Sequence, residues 1–340
     1  MCGEGLGHAS RSRIVIKHLL QKNHQVSIIA GGKAYSYLSN IFQNVAKIEW
    51  PGVIYSDNAI NIFHTMIHIS YRTLVGSIPS FFKLRKRIKK EKPDVLVTDA
   101  EPISYYAARL SKIPCVSIDN PQAMLYRKYS VSLSEIIPYI IFSVTIKLSL
   151  FGADKYLIYD FSNKQIAKEN IIFLKPLIQQ GILNQTPSYG NHVFVYQTSK
   201  TNNNLLTILR KINEQFIIYG FNKNYLEGNL QFKKFNENEF YEDISQSKAI
   251  ISNGGFTVLS EALYLKKPIF SIPLRNQFEQ VINGKFISQL GAGVSYDCVT
   301  EARLKNFLSK LSIFQKNLKK YDSGNQLETL EVISRELENI

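Results

Sequence analysis

Short β-branched runs alternate with helical stretches in both halves of the chain, and this alternation restricts the fold more than any other feature. In the first half Val26–Ala30, Val95–Thr98 and Cys115–Ile118 read as buried strands, each bounded by a turn signal or a proline. Helical patterning covers His8–Lys22, Ile78–Glu91 and Ile103–Leu110. In the second half the strands His192–Tyr196, Phe216–Tyr219, Ala249–Ser252 and Ile269–Ile272 alternate with helical stretches at Asn203–Ile212, Glu237–Ser247, Thr257–Leu265, Gln277–Leu290 and Glu301–Leu311. Strands that alternate with helices form parallel sheets covered on both faces, so the expected class is α/β. A chain of 340 residues is long for one core, which predicts two Rossmann-like domains in series. The expected boundaries are 1–176 for the first domain, 177–191 for a Pro/Gly-punctuated linker, 192–325 for the second domain and 326–340 for a closing amphipathic helix. The cleft between two such domains is the default place for a site.

With 45% hydrophobic and 20% charged residues this is an ordinary folding composition. The longest uncharged apolar stretch, Ile136–Ile146, is closed by Glu135 and Lys147 and falls short of the roughly 18 residues of a membrane span. No basic-then-apolar secretory signal opens the chain. Cys2, Cys115 and Cys298 are too scattered for a disulfide framework or a cysteine-built zinc site, so a reducing, cytoplasmic setting is expected. Net charge is +14 and is concentrated in residues 1–180, with 23 bases against 12 acids. The densest run, Lys83–Lys92, has seven bases and one acid. Such a bias suits an anionic membrane surface or an anionic substrate, or is simply a solvated helix face. No helix-turn-helix, zinc-finger or aromatic RNA-binding signature accompanies it, so nucleic acid is not an expected partner.

The most informative segment is Ala249–Gln280, where a buried strand runs through Asn253-Gly254-Gly255 into a helix. The two glycines let the backbone approach a ligand closely, and the free amides of Phe256, Thr257 and Val258 form an anion site. Glu261 lies one helical turn beyond Thr257 on the same face, where a carboxylate can accept both hydroxyl protons of a ribose. After the next strand the loop carries Gln277, Glu279 and Gln280, side chains suited to sugar hydroxyls. Thr198 and Ser199, after the first strand of this half, supply small donors at the same sheet edge.

This ordered set resembles the donor-binding domain of GT-B glycosyltransferases, especially MurG, the UDP-glycosyltransferases and small archaeal and bacterial relatives of MurG. The resemblance implies that the Gly254-Gly255 helix start holds the donor diphosphate and that Glu261 binds ribose. It also implies that Glu279-Gln280, with Asn283 three residues on, contacts the transferred sugar. In the first half, Gly3-Glu4-Gly5-Leu6-Gly7-His8 opens the chain. The spacing is not that of the dinucleotide fingerprint, and Glu4 would repel a phosphate, so the loop more plausibly faces a hydroxyl-bearing substrate. The resemblance places Gly5 and Gly7 near the acceptor, makes His8 the general base and makes Asp99 the residue that orients it. An imidazole, titrating near neutrality, suits the removal of an alcohol proton. Arg11 would offset phosphate charge, and Glu101 and Asn120 line the acceptor side. Asp99-Ala100-Glu101 imitates a metal-binding DxD, and His64 and His68 stand four apart, but neither has further ligands, so no metal and no cofactor is expected.

The implied activity is inverting transfer of a sugar from a nucleotide sugar, UDP-linked by the family pattern, to a hydroxyl of a glycan, lipid or cell-envelope acceptor. A nucleotide-sugar 2-epimerase of the same fold and a non-catalytic sugar-nucleotide-binding subunit are the alternatives. Members of the family begin with a buried strand that feeds the glycine loop. Here only Met1 and Cys2 precede Gly3, so the first sheet is expected to lack that strand or hold a stub of it.

Overall fold

The structure, a computed structural model, describes residues 6–49, 55–56, 59–60, 76–127, 131–150, 152–161, 168–197, 203–274 and 277–340. The chain divides into two compact units, one of Met1–Ile54, Asn61–Leu177 and Gly324–Ile340, the other of Tyr55–Ile60 and Ile178–Ser323.

The first unit runs α1 (Leu6–Gln21), β1 (Ile29–Gly31), α2 (Gly32–Ser39), β2 (Ala46–Ile48), α3 (Ile78–Glu91), β3 (Leu96–Thr98), α4 (Pro102–Ser111), β4 (Cys115–Asp119), α5 (Ile136–Ser149), β5 (Lys155–Tyr159) and β6 (Ile171–Leu174). Its strands do not form one sheet. β1 pairs in parallel with β2 alone, and β3-β4-β5-β6 form a separate parallel sheet in that order. Among the described residues no strand joins β1 to β3, and the residues ahead of Leu6, where the expectation of a missing first strand falls, lie outside the described residues. α1 packs Ala9 and Ile16 against Ile28 and Ala30 on one side of β1. Leu84 and Ile88 of α3 cluster with both Ile29 and Leu96, bridging the two sheets. α3 and α4 each stop at a left-handed lysine, Lys92 and Lys112.

The second unit runs β7 (His192–Tyr196), α6 (Asn203–Leu209), β8 (Gln215–Tyr219), β9 (Tyr225–Glu227), β10 (Leu230–Phe232), α7 (Glu237–Gln246), β11 (Ala249–Ser252), α8 (Phe256–Tyr264), β12 (Ile269–Ser271), α9 (Phe278–Gln289), β13 (Gly293–Ser295), α10 (Glu301–Leu308) and α11 (Leu311–Leu318). Here one seven-stranded sheet forms, ordered β9-β10-β8-β7-β11-β12-β13 and parallel except at β9. Val193 and Val195 of β7 pack with Ile218, Ile251, Phe270 and Phe307 in one core. On the opposite face Phe194 meets Phe240 edge-on, with ring centroids 5.0 Å apart.

The closing helix α12 (Gln326–Glu338) belongs to the first unit. His18 Nε2 and Ser334 Oγ are 3.0 Å apart, and Lys22 and Lys155 reach Glu331 and Glu336, each at 2.5 Å. β2, β5, β6, β9, β10 and β13 escaped the sequence reading because they are short or begin beside charged residues. The segment expected as Val26–Ala30 is regular only over Ile29–Gly31, as befits a strand paired on one side.

Candidate functional site

In the first unit, polar side chains collect at the carboxyl ends of β3, β4 and β5, beneath the first turn of α1. His8, Arg11 and Ser12 share one helical face because they stand three and four residues apart. His8 Nδ1–H donates to Asp99 Oδ1 at 2.6 Å, and Ser12 Oγ donates to Asp99 Oδ2 at 3.0 Å. Arg11 Nη2 donates to Asn120 Oδ1 at 2.9 Å and lies 3.3 Å from His8 Nδ1, with its guanidinium over the Tyr159 ring. Asp99 is only 7% exposed and Arg11 2%. Burial works to raise the Asp99 carboxyl, but His8, by charge and hydrogen bond, and then Arg11 hold it below its ordinary value. With Nδ1–H committed to a carboxylate, Nε2 is the basic atom of His8. Asp99 is followed by Ala100 in the left-handed region, φ 47°, a backbone cost that the turn after the strand sustains.

A second network lies behind. Asp119 accepts from Ser117 Oγ at 2.6 Å and Gln122 Nε2 at 2.8 Å, and burial pushes its carboxyl up. Glu101 is placed differently from its expected acceptor role. Fully buried, it caps α4, with Oε1 accepting from Ile103 N at 3.0 Å and Oε2 from Ser104 N at 2.8 Å. A carboxylate one position before a proline-led helix meets two orphan amides, and both oxygens are thereby occupied. Arg11 and Asn120 likewise turn inward and bond each other. Gly7 lies within α1, whereas Gly5, Glu4, His64 and His68 lie outside the described residues.

In the second unit the turn from β11 into α8 is built as the sequence implies. Gly254 has φ +84°, and a Cβ there would come within 2.9 Å of Ser271 Oγ and 3.0 Å of Gln280 O. Only glycine fits. Gly255 is the N-cap of α8, no side chain caps the helix, and the positive end of its dipole faces this turn. Asn253 Nδ2 donates to Gln197 Oε1 at 3.0 Å and Ile272 O at 3.1 Å, and Asn283 Nδ2 donates to Gly254 O at 3.2 Å. Gln280 Oε1 accepts from Leu274 N at 2.9 Å, which holds the loop after β12. Gln197 Nε2, Ser271 Oγ and Asn283 Oδ1 are buried without a hydrogen-bond partner among the described residues. Unpaired buried polar atoms gathered at one turn mark a place where a polar ligand completes the bonding.

Glu261 is 3% exposed, and burial, helped by the charge of Glu237, pushes its carboxyl up to about 8. It is therefore protonated at neutral pH. Phe256 is buried, Thr257 and Glu279 are half-buried, and Thr198 and Ser199 lie outside the described residues. The sequence reading passed over Ser12, Gln197 and Ser271. Gln197 immediately follows β7 and Ser271 ends β12, so carboxyl-end position was the signal that identifies them.

Two parallel α/β units, one with a histidine–aspartate pair at its strand ends and one with a glycine-led helix start, define a glycosyltransferase of the GT-B class. The profile of a family described as "Glycosyl transferase family 1" matches residues 1–312, and the chain belongs to that family. An uncharacterized glycosyltransferase of Methanosarcina mazei is 26% identical over 341 residues, covering 90% of this chain and 87% of the relative. A UDP-N-acetylglucosamine–N-acetylmuramyl-(pentapeptide) pyrophosphoryl-undecaprenol N-acetylglucosamine transferase of Bacillus cereus is 35% identical over 69 residues, 19% of each chain. Among solved structures, a calicheamicin glycosyltransferase superposes with TM-score 0.67 at 14% identity, covering 99% of this chain and 97% of that one. MurG of Acinetobacter baumannii does so with TM-score 0.62 at 15% identity, covering 100% and 98%.

Proposed function

We propose that the protein transfers a sugar from a UDP-linked donor to a hydroxyl acceptor with inversion, His8 acting as general base. The observation that carries this reading is the 2.6 Å bond from His8 to a buried, ionised Asp99, which fixes the imidazole and leaves Nε2 basic. Nε2 takes the acceptor proton as the oxygen attacks the anomeric carbon, and Asp99 stabilises the imidazolium that forms. The bond to the diphosphate breaks on the opposite face of the sugar. The amides at the start of α8 stabilise the departing charge, so the step needs no metal. Glu261 sits one turn along for the ribose, and Glu279 and Gln280 are assigned to the sugar. A UDP donor is supported by the Bacillus relative named for UDP-N-acetylglucosamine.

A lipid-linked acceptor at the cytoplasmic membrane face completes the reading. The same relative is named for a pyrophosphoryl-undecaprenol substrate. α3 packs along α4, and the Tyr106 hydroxyl of α4 donates to Leu148 O of α5 at 2.9 Å. These three neighbouring helices expose Phe82, Leu110, Ile137, Ile140 and Leu148, with the Lys83–Lys92 bases beside them. Among the described residues no helix is long and apolar enough to cross a membrane. Apolar and basic side chains on one helical layer support surface attachment to anionic lipid.

The test is incubation with UDP-sugars, with and without a lipid-linked hydroxyl acceptor. Acceptor-dependent UDP release is expected. A new UDP-sugar formed without acceptor identifies an epimerase, and binding without any turnover identifies a binding subunit. Equal co-sedimentation with neutral and anionic vesicles at low salt refutes the membrane arm.

A further inference from the structure

Asp99 is ionised and 7% exposed, and a buried anion needs a cation beside it. If His8 supplied that cation it would hold a proton on both ring nitrogens, and Nε2 could not accept another. Ser12, on the same helix, gives Asp99 a hydroxyl and no charge. Among the described residues the neighbouring strand ends do not supply the cation either. Burial pushes the Asp119 carboxyl, at the end of β4, and the Tyr159 hydroxyl, at the end of β5, toward their neutral forms. Glu101 faces the first amides of α4, and Arg127 is paired with Asp160. Arg11 is the cation in place. Its guanidinium stays charged at any working pH, is 2% exposed, and is held by Asn120 Oδ1 at 2.9 Å and by the Tyr159 ring. Its Nη2 lies 3.3 Å from His8 Nδ1, which already donates to Asp99 at 2.6 Å. Two N–H groups facing each other share no hydrogen bond, so this contact acts through charge.

We propose that Arg11 is a positioning residue for the His8–Asp99 pair, its fixed charge balancing Asp99 so that His8 stays unprotonated at Nε2 near neutral pH. This rests on the reading of His8 as general base. Ionised Asp99, Arg11 and a neutral imidazole sum to zero charge. Without Arg11 the same balance is reached by ionised Asp99 and an imidazolium, so the buried anion then draws a proton onto His8. A charge this near moves a titration by roughly one to three pH units. Position three residues after His8 sets Arg11 on the same face of α1, and the bonds to Asn120 and Tyr159 keep the guanidinium against Nδ1.

The test follows the His8 titration by NMR in the full chain, beside the pH dependence of kcat/KM for UDP release from the UDP-sugar that turns over fastest. In wild type near neutral pH, His8 is expected to carry a single proton, on Nδ1. In Arg11→Met the His8 titration and the acid limb of kcat/KM both move up by about one pH unit or more. Activity at neutral pH then falls about tenfold and recovers at alkaline pH, with donor affinity near wild type. Arg11→Lys, which keeps a charge, is expected to stay closer to the wild-type limb. An unmoved His8 titration in Arg11→Met, with kcat/KM lowered equally at every pH, overturns the proposal and reduces Arg11 to packing. A wild-type His8 found doubly protonated at neutral pH overturns it without any variant. Full activity in His8→Ala refutes the base reading alone, and the His8 titration still decides the role of Arg11.

Discussion

The two units of this protein are made by the same alternation of strand and helix, yet among the described residues one has a continuous sheet and the other a split one. In the second unit β7 pairs on both sides over five residues with β8 and four with β11, and Val193, Phe194 and Val195 are fully buried. In the first unit β1 and β3 are three residues each and, among the described residues, paired on one side only. The helices nevertheless pack in their places, and the His8–Asp99 bond forms. Among the described residues, side-chain clusters hold α1 against β1 and α3 against both β1 and β3, so the helical layer spans strands that no ladder joins.

The largest effects should separate the chemistry of the two units. His8→Ala is expected to lower kcat by about 10²–10⁴ with donor affinity near wild type, measured by UDP release and by calorimetry. Asp99→Asn should give a smaller loss. Near-full activity in His8→Ala would remove the catalytic role of the first unit.

Next comes the packing contrast. Phe194→Ala, at the centre of the continuous sheet, should cost about 3–5 kcal/mol in denaturant unfolding of the second unit. Val97→Ala, at an exposed position of β3, should cost less than about 1 kcal/mol. Similar losses would show that β3 is as well packed as β7.

Smaller still is the ligand effect of Glu261→Ala, expected to weaken UDP binding by about 1.5–3 kcal/mol. Unchanged UDP affinity would take the ribose away from this residue.

The same carboxyl also gives a pH effect. Glu261 is raised to about 8 by burial and then by Glu237, so between its unfolded value of 4.5 and about 8 the folded state holds the extra proton. Its contribution to stability is therefore full below about 4.5 and is lost as pH rises toward about 8. Replacing it with glutamine should flatten that decline in a series of Tm measurements. A wild-type and Gln variant with parallel Tm–pH curves would mean that the carboxyl ionises freely.

How much was legible beforehand differs by residue. The NGG turn was readable because a strand, two glycines and a helix are adjacent in sequence, and each follows local steric rules. The role of Glu101 was not, although its sequence signal, an acid before Pro102, was that of a helix cap. Its place next to Asp99 drew the reading toward chemistry. Nor was the inward turn of Arg11 onto Asn120 and Tyr159, since those partners lie more than a hundred residues away.

By itself the sequence determined the α/β class, the order of the two units and the glycine turn at the start of α8. These depend on local periodicity, on backbone conformations open only to glycine, and on chain length. Tertiary structure alone decided that α12 returns to the first unit, that Glu101 caps a helix, and that Gln197 and Ser271 join Asn253 and Asn283 around one turn. It also decided that Glu261 is buried deeply enough to hold its proton at neutral pH. Each of these depends on which groups meet across long stretches of chain, and burial, which sets both hydrogen-bond demand and ionisation, is a property of that meeting and of no residue taken alone.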